Sequence, residues 1–356
     1  MSRDVVVNIS LETPSVSANE MNILILSTEG VRPFKTYTSL PEIAEDYTSM
    51  VDEVVVETKA YRKAKALFAQ QNPFASGKIS KVSIVGIAEP ANADGLVQSL
   101  GTIRATNDDW YVLLTDQTSD EMVVAISAWA DTTANTGASN TDKPKLYFAK
   151  TSNSALAVSN QRAVVIYCDD ELIATEEPDA AWVGHNAPVY PRATNWKFKR
   201  PSGVTPAALT DSEKTALEAA HINFMTTENK RNYMKNGVCS DGTFIDEIVG
   251  ADYITFLMQD RLYDVFLSND KIPYTDDGFT LIAGAILSAL EQSATLGIIA
   301  IDAESNSPIY NINIPTFASA TAEQRATRTM PDINWEAQQQ SAVNSAKTNG
   351  VLRITL

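Results

Sequence analysis

Between Ile23 and Tyr167, short apolar runs rich in β-branched residues alternate with amphipathic stretches, and this alternation constrains the fold more than any other feature. Ile23-Leu24-Ile25-Leu26 is the kind of run found in strands covered on both faces. Ser39-Leu40-Pro41-Glu42 opens a helix, with Ser39 as N-cap, an early proline and an acid in the first turn. Residues 57–70 make a second helix that carries Ala60, Ala64, Leu67 and Phe68 on one stripe. A strand follows at 81–87, then a strand at 110–114, a helix at 121–129, and strands at 145–148 and 163–167. Strands interleaved with helices predict an α/β layer.

A change of character at 187–200, where two prolines precede Asn195-Trp196-Lys197-Phe198-Lys199-Arg200, marks the expected domain boundary. Beyond it, Thr210 and Glu213 have the spacing of a capping box. Gly237 and Asp241-Gly242 punctuate a hairpin-like stretch that ends at 244–249. Two long amphipathic helices are expected at 252–270 and 275–296; the first carries a stripe of Ile254, Leu257, Met258, Leu262, Val265 and Phe266. A strand at 310–314 and a second capping box, Thr321-x-x-Gln324, precede extended segments at 332–340 and 350–356. Both chain ends read as lone strands. Val5, Val7 and Ile9 share one face of the first, and Leu352, Ile354 and Leu356 share one face of the last.

Several function classes fit poorly. Net charge is −16, and phosphate contacts need clustered Lys and Arg, so no nucleic-acid partner is expected. The acid is concentrated in the first 190 residues, and the last fifty are slightly basic. No run approaches the ~18 apolar residues of a membrane span, and the N-terminus lacks a signal-peptide pattern, which predicts a chain made in the cytoplasm without direct membrane insertion. Cys168 and Cys239 stand 71 positions apart with no metal-type spacing, so ordinary reduced thiols are expected. Phosphate-cradle and nucleophile-elbow motifs are missing, and no catalytic residue, metal or cofactor is expected. His185 reads as lying in a proline-flanked loop and His221 as sitting on a polar helix. The acids Asp169-Asp170-Glu171 and Glu176-Glu177 read as a solvated loop face.

The second half resembles the contractile-tail sheath proteins of phages, in a short, minimal branch of that family. The resemblance is carried by an ordered set of segments over about 160 residues. They run from Asn195-Trp196-Lys197-Phe198-Lys199 and Gly203-Val204-Thr205-Pro206 through Asn229-x-x-x-Tyr233, Gly242-Thr243-Phe244-Ile245-Asp246 and Asp252-Tyr253-Ile254. Lys271-Ile272-Pro273-Tyr274-Thr275-Asp276-Asp277-Gly278, Gly297-Ile298-Ile299, residues 322–328 and Pro331-Asp332-Ile333 complete it. Asn72-Pro73-Phe74 fits less specifically.

The likeness implies a mixed α/β sheath fold: an N-terminal arm at 1–20, an outer α/β domain at 21–190, an inner, tube-facing domain at 191–340 and a C-terminal β-arm at 341–356. It implies a non-enzymatic subunit of a virion tail that stacks as hexameric rings around a tail tube and contracts to drive the tube through the target envelope. Its partners would be itself, the tube protein, and the baseplate and terminator proteins. The arms would pair with sheets of neighbouring subunits through Val5, Val7, Ile9, Leu352, Ile354 and Leu356; a lone strand is by itself a template for another chain. Arg325 and Arg328, three apart on the predicted helix, with Lys347, are the expected tube-facing cations; a solvated face or an ion pair with Glu323 or Asp332 is the competing expectation. Two other readings stay open: another self-assembling virion protein of tail-tube or capsid type, and an acidic α/β enzyme built on Asp169, Asp246 and Asp252.

Overall fold

The structure, a computed structural model, describes residues 21–133 and 143–346. It divides into two compact units, one up to Asp260 and one from Arg261.

The first unit is built on an eight-stranded sheet. In chain order its elements are β1 (Ile23–Ser27), β2 (Arg32–Tyr37), α1 (Leu40–Tyr47), a separate hairpin β3 (Thr48–Val51) and β4 (Val54–Glu57), α2 (Lys59–Phe68) and β5 (Val82–Gly86). There follow α3 (Ala93–Thr106), β6 (Val112–Thr115), α4 (Asp120–Thr132), β7 (Leu146–Thr151), β8 (Ala163–Tyr167), α5 (Pro178–Asn186), α6 (Asp211–Ala219), β9 (Asn223–Glu228) and β10 (Arg231–Lys235). The helix α7 (Ile245–Ser268) begins in this unit, and the division falls within it.

Strand order is β10-β9-β8-β7-β6-β1-β5-β2. The six inner strands are parallel, and β10 and β2 close the edges antiparallel. Side chains alternate between two cores, as the two-residue period of a strand requires. Ile23, Ile25, Val112, Leu114, Phe148 and Ile166 face one core with α1, α2, α5 and the start of α7. Leu24, Leu26, Leu113, Tyr147, Ala149 and Val165 face the other with α3, α4 and α6. The result is a three-layer sandwich, the α/β architecture expected.

The chain passes 187–200 without leaving this sheet, because β9 extends the parallel set beside β8. Trp196 of that stretch is buried, meeting Trp182 edge-on at 5.5 Å and lying tilted on Phe148 at 5.3 Å between ring centroids, and its carbonyl accepts from the Trp182 indole.

Three local expectations need correction. The tight turn at Asp241-Gly242 forms, with Val238 bridging Phe244 antiparallel, but residues 245–249 are the first turn of α7, and a longer hairpin lies upstream in β9 and β10, joined by Asn229 and Lys230 in left-handed conformations. His185 lies in α5, which is buried along its whole length. His221 follows the end of α6 with φ 55, in the left-handed region that terminates helices.

Two polar clusters lock the first unit. Lys63 of α2 and Lys150 of β7 converge on Glu177 and Asp179 at the start of α5, with Lys63 2.5 Å from Asp179 and Lys150 2.7 Å from Glu177. All four side chains are at most 5% exposed. Glu177 is therefore not part of a solvated acidic face, as the sequence reading had it. Burial opposes charge on Lys63, but Asp179 and Glu177 outweigh it and hold its ammonium above the ordinary range. Lys150 also donates to the carbonyls of Ile173 and Glu176, so its three donors are spent. In the second cluster, Asp252 on α7 receives Arg162 and Tyr111.

In the second unit, α8 (Asp276–Thr295) starts at Thr275, whose hydroxyl accepts from the Gly278 N–H. Phe279, Ile282, Ile286, Ala289 and Leu290 are buried. β11 (Tyr310–Asn313), α9 (Ala322–Thr327) and β12 (Asn334–Ala337) follow. Tyr274 ties this unit together: its hydroxyl donates to the Thr329 carbonyl and its ring meets Phe279 and Phe317 edge-on.

Candidate assembly surfaces

β11 and β12 pair antiparallel, with Tyr310 opposite Ala337 and Ile312 opposite Trp335. The ladder continues through the segment at 298–301, where Ala300 donates to Gln338 and Ile309 donates to Ala300. Among the described residues, no third strand runs along either outer edge of β11–β12. Asn311, Asn313, Asn334, Trp335 and Glu336 are exposed. A two-stranded sheet is marginal in water by itself, and its outer edges offer rows of N–H and C=O groups to an incoming strand. The arm residues Val5, Val7, Ile9, Leu352, Ile354 and Leu356 lie outside the described residues, as does Lys347.

The capping box at the start of α9 forms: Thr321 accepts from the Gln324 N–H and the Gln324 side chain accepts from the Thr321 N–H. Arg325 is exposed on the helix, with its guanidinium 5.7 Å over the Phe317 ring. Arg328 is exposed too, but it is the C-cap, with φ 57. Its left-handed backbone ends the helix at that residue. α9 buries none of its residues. Sequence reasoning missed this because Arg, unlike Gly or Asn, gives no signal for a left-handed cap.

The groups that carry chemistry elsewhere are engaged in structure. Burial, with Lys199 nearby, pushes the His185 imidazole down to about 4, so it is neutral at pH 7. The His221 ring packs against Gly242, where a Cβ would meet it at 2.9 Å. Burial pushes the Cys168 thiol up to about 12 and raises that of Cys239 as well, which leaves neither as a thiolate. Asp169 accepts from the Ala208 N–H, and Asp252 is clasped by Arg162. Burial raises the Asp246 carboxyl to about 6. Asp116, at the carboxyl end of β6 beside that of β1, accepts from Ser27, from both the N–H and hydroxyl of Thr28, and from Gln117. In doubly wound sheets this crevice is where ligands enter, and here the chain's own loops are stitched together across it. Among the described residues, no three of His, Cys, Asp and Glu are grouped to hold a metal, and no helix is long and apolar enough to cross a membrane.

Residues 245–307 match a family model described as the E217 tail sheath protein gp31-like, C-terminal domain. No curated protein matches the chain. Three solved structures match it end to end. A chain of the anti-feeding prophage baseplate, 6-fold symmetrised, aligns with a TM-score of 0.71 at 12% identity, covering 99% of this chain and 100% of that one. The sheath complex of an extracellular contractile injection system, PVC, in the contracted state gives 0.65 at 12%, covering 99% of each. The anti-feeding prophage helical sheath in the contracted state gives 0.63 at 12%, covering 100% of this chain and 99% of that one. The likeness to tail sheath proteins read from the sequence is borne out, and the mixed α/β fold is theirs.

Proposed function

We propose that this chain, carrying the tail-sheath fold along its length, is a structural subunit of a contractile tail sheath. Copies polymerise as stacked hexameric rings around a tail tube, and contraction of the stack drives the tube through a target envelope. One observation carries the reading: chains of contractile injection systems match this one over 99–100% of its length, so the likeness extends beyond a shared α/β core.

The open β11–β12 ladder supports strand addition as the way neighbours are joined. An arm at 1–20 of one copy and an arm at 341–356 of another, offering Val5, Val7 and Ile9, or Leu352, Ile354 and Leu356, would extend it on its two edges. Main-chain pairing of this kind survives large rigid-body movement of the domains that carry it. The inner region at 191–340 then faces the tube, with the exposed Arg325 and Arg328, and Lys347, as its cations. The outer region at 21–190 faces outward. Energy for contraction is stored in the interfaces at assembly; the buried, neutral His185 and the buried thiols have no part in it. Tube, baseplate and terminator proteins are the partners, and the particle is a tail assembled in a bacterial cytoplasm.

Negative-stain imaging of the purified chain tests the reading. Striated hollow cylinders are expected. Narrow smooth tubes would point to a tail-tube protein, and a small monodisperse particle at concentrations where sheaths polymerise would overturn it.

A further inference from the structure

The hairpin β3–β4 is a separate two-stranded sheet hung between α1 and α2. Thr58, at its base, ties it down by donating to the Tyr47 carbonyl through both N–H and hydroxyl. Beyond that base all residues from Ser49 to Val56 are exposed. Met50 pairs with Val55 on one face at 66% and 56% exposed, and Val51 pairs with Val54 on the other at 53% and 64%. Its tip is acidic: Asp52 and Glu53 form the two-residue turn, with φ 48 and 64. An isolated hairpin with apolar residues on both faces buries almost nothing within its own subunit. Patches of this kind mark interaction sites.

A second surface of the same unit has the opposite character. Phe74 is 70% exposed and Phe198 48% exposed. Phe198 packs on Tyr233 at 5.2 Å, and Lys199 sits 5.9 Å over the Phe74 ring. Arg192 donates to the Phe74 carbonyl at 2.6 Å, and Arg200 is exposed beside it in sequence to Lys199. Arg231, also exposed, lies two residues from Tyr233 and so on the same face of β10, with Glu228, which Lys235 also holds at 3.0 Å, as its cross-strand partner.

The two surfaces lie at opposite ends of α2. The hairpin leads into Thr58, the N-cap of that helix. Phe74 lies beyond its C-terminal end, where its N–H donates to Asn72, which in turn holds the His185 carbonyl near the end of α5. Ten residues of helix separate them by about 15 Å.

We propose that the acid-tipped apolar hairpin of one copy docks on the cationic aromatic surface around Phe74 and Phe198 of a second copy of this chain. The occupant is argued from complementarity. One patch joins valines to two carboxylates, the other joins aromatic rings to guanidinium and ammonium groups, and both belong to one chain. Two unlike patches on opposite ends make a head-to-tail contact, which propagates rather than closing into a dimer. This rests on the self-assembling sheath reading and adds to it a contact that uses neither arm.

The test is disulfide trapping in the assembled polymer. Cys168 and Cys239 are buried, so new surface thiols report alone. Chains carrying V55C with F198C, and V55C with F74C, are assembled, oxidised and run without reductant, next to each single variant. At least one pair is expected to give a ladder of covalent dimers, trimers and higher species, and the singles none. Wild-type thermal unfolding midpoints for these surface variants establish that they are folded. Tubules without a ladder from either pair would overturn the contact while leaving the sheath reading intact. A covalent dimer from V55C alone would overturn it in favour of hairpin-to-hairpin pairing. Wild-type protein that never polymerises would fail the sheath reading itself. As a second measurement, D52K/E53K should raise the critical concentration for assembly several-fold, and adding R200E/R231E should bring it back; no recovery counts against the pairing.

Discussion

Arg162 clasps both carboxylate oxygens of Asp252, at 2.5 and 3.1 Å, while the Tyr111 hydroxyl donates to one of them at 2.7 Å. The pair fastens α7 to the head of β8. Each charge is acceptable in the interior only because the other is present. Arg162→Met or Asp252→Leu alone should cost about 3–5 kcal/mol in urea unfolding. The double variant should recover most of that loss; if it is no better than the worse single variant, the site depends on the charges themselves.

His185 should make the fold acid-sensitive. Its folded-state pKa, about 4, lies below the ordinary 6.5, so between these values the unfolded chain binds more protons than the folded one. The contribution is complete above pH 6.5 and is lost as pH falls toward 4, on the order of 3 kcal/mol at most. Asp246, raised to about 6 from 3.8, works in the opposite sense over an overlapping range. The clean measurement is therefore a difference: the slope of stability against pH for wild type minus that for His185→Gln should be positive between 4 and 6.5. Equal slopes would show that the imidazole is not responsible.

Gly184 is where α5 touches α2. A Cβ there would stand 2.6 Å from the Leu67 carbonyl oxygen and 2.9 Å from Gln70 Cγ. Backbone cannot yield as a side-chain end can, so Gly184→Ala should destabilise by about 1–3 kcal/mol despite the better helix propensity of alanine. A raised thermal midpoint would contradict this packing.

Deleting residues 1–12, or 350–356, should leave a folded, soluble subunit that no longer builds tubules. Circular dichroism and negative-stain imaging together read the outcome. Normal tubules from both truncations would remove strand addition by the arms from the proposal.

The double variant R325E/R328E should still form sheath polymers without a tube but should impair assembly of extended sheath around one. An exposed charge pair is worth only about 0.2–1 kcal/mol, so the effect depends on many copies acting together. Extended, contractile tails built as readily as by wild type would dismiss these arginines from the tube face.

Much of the fold was legible where apolar spacing is one-sided. The strands at Ile23–Ser27 and Ala163–Tyr167, α8 with its Thr275 cap, and both capping boxes stand where their patterns predict. α5 was hidden because all nine of its residues are buried, and a helix covered all round has no amphipathic period to read. The β9–β10 hairpin was hidden by its turn, since Asn-Lys stands where Asn-Gly would have announced it. Glu177 looked like a solvent-facing acid because the two lysines that neutralise it are 114 and 27 positions away in the chain. The stripe on α7 was half right: Ile254, Leu257 and Met258 are buried, whereas Phe266 is exposed.

The cluster of Lys63, Lys150, Glu177 and Asp179 carries two formal charges of each sign. These four side chains are at most 5% exposed, with the partly exposed Arg62 reaching Glu177 from the rim, so mobile counter-ions have little access to them. Salt added to a solution of subunits therefore leaves this bolt in the scaffold alone and acts on charges at the surface. Turbidity followed across a sodium chloride series, beside a thermal midpoint at each concentration, then separates the contacts between copies from the melting of the copies themselves.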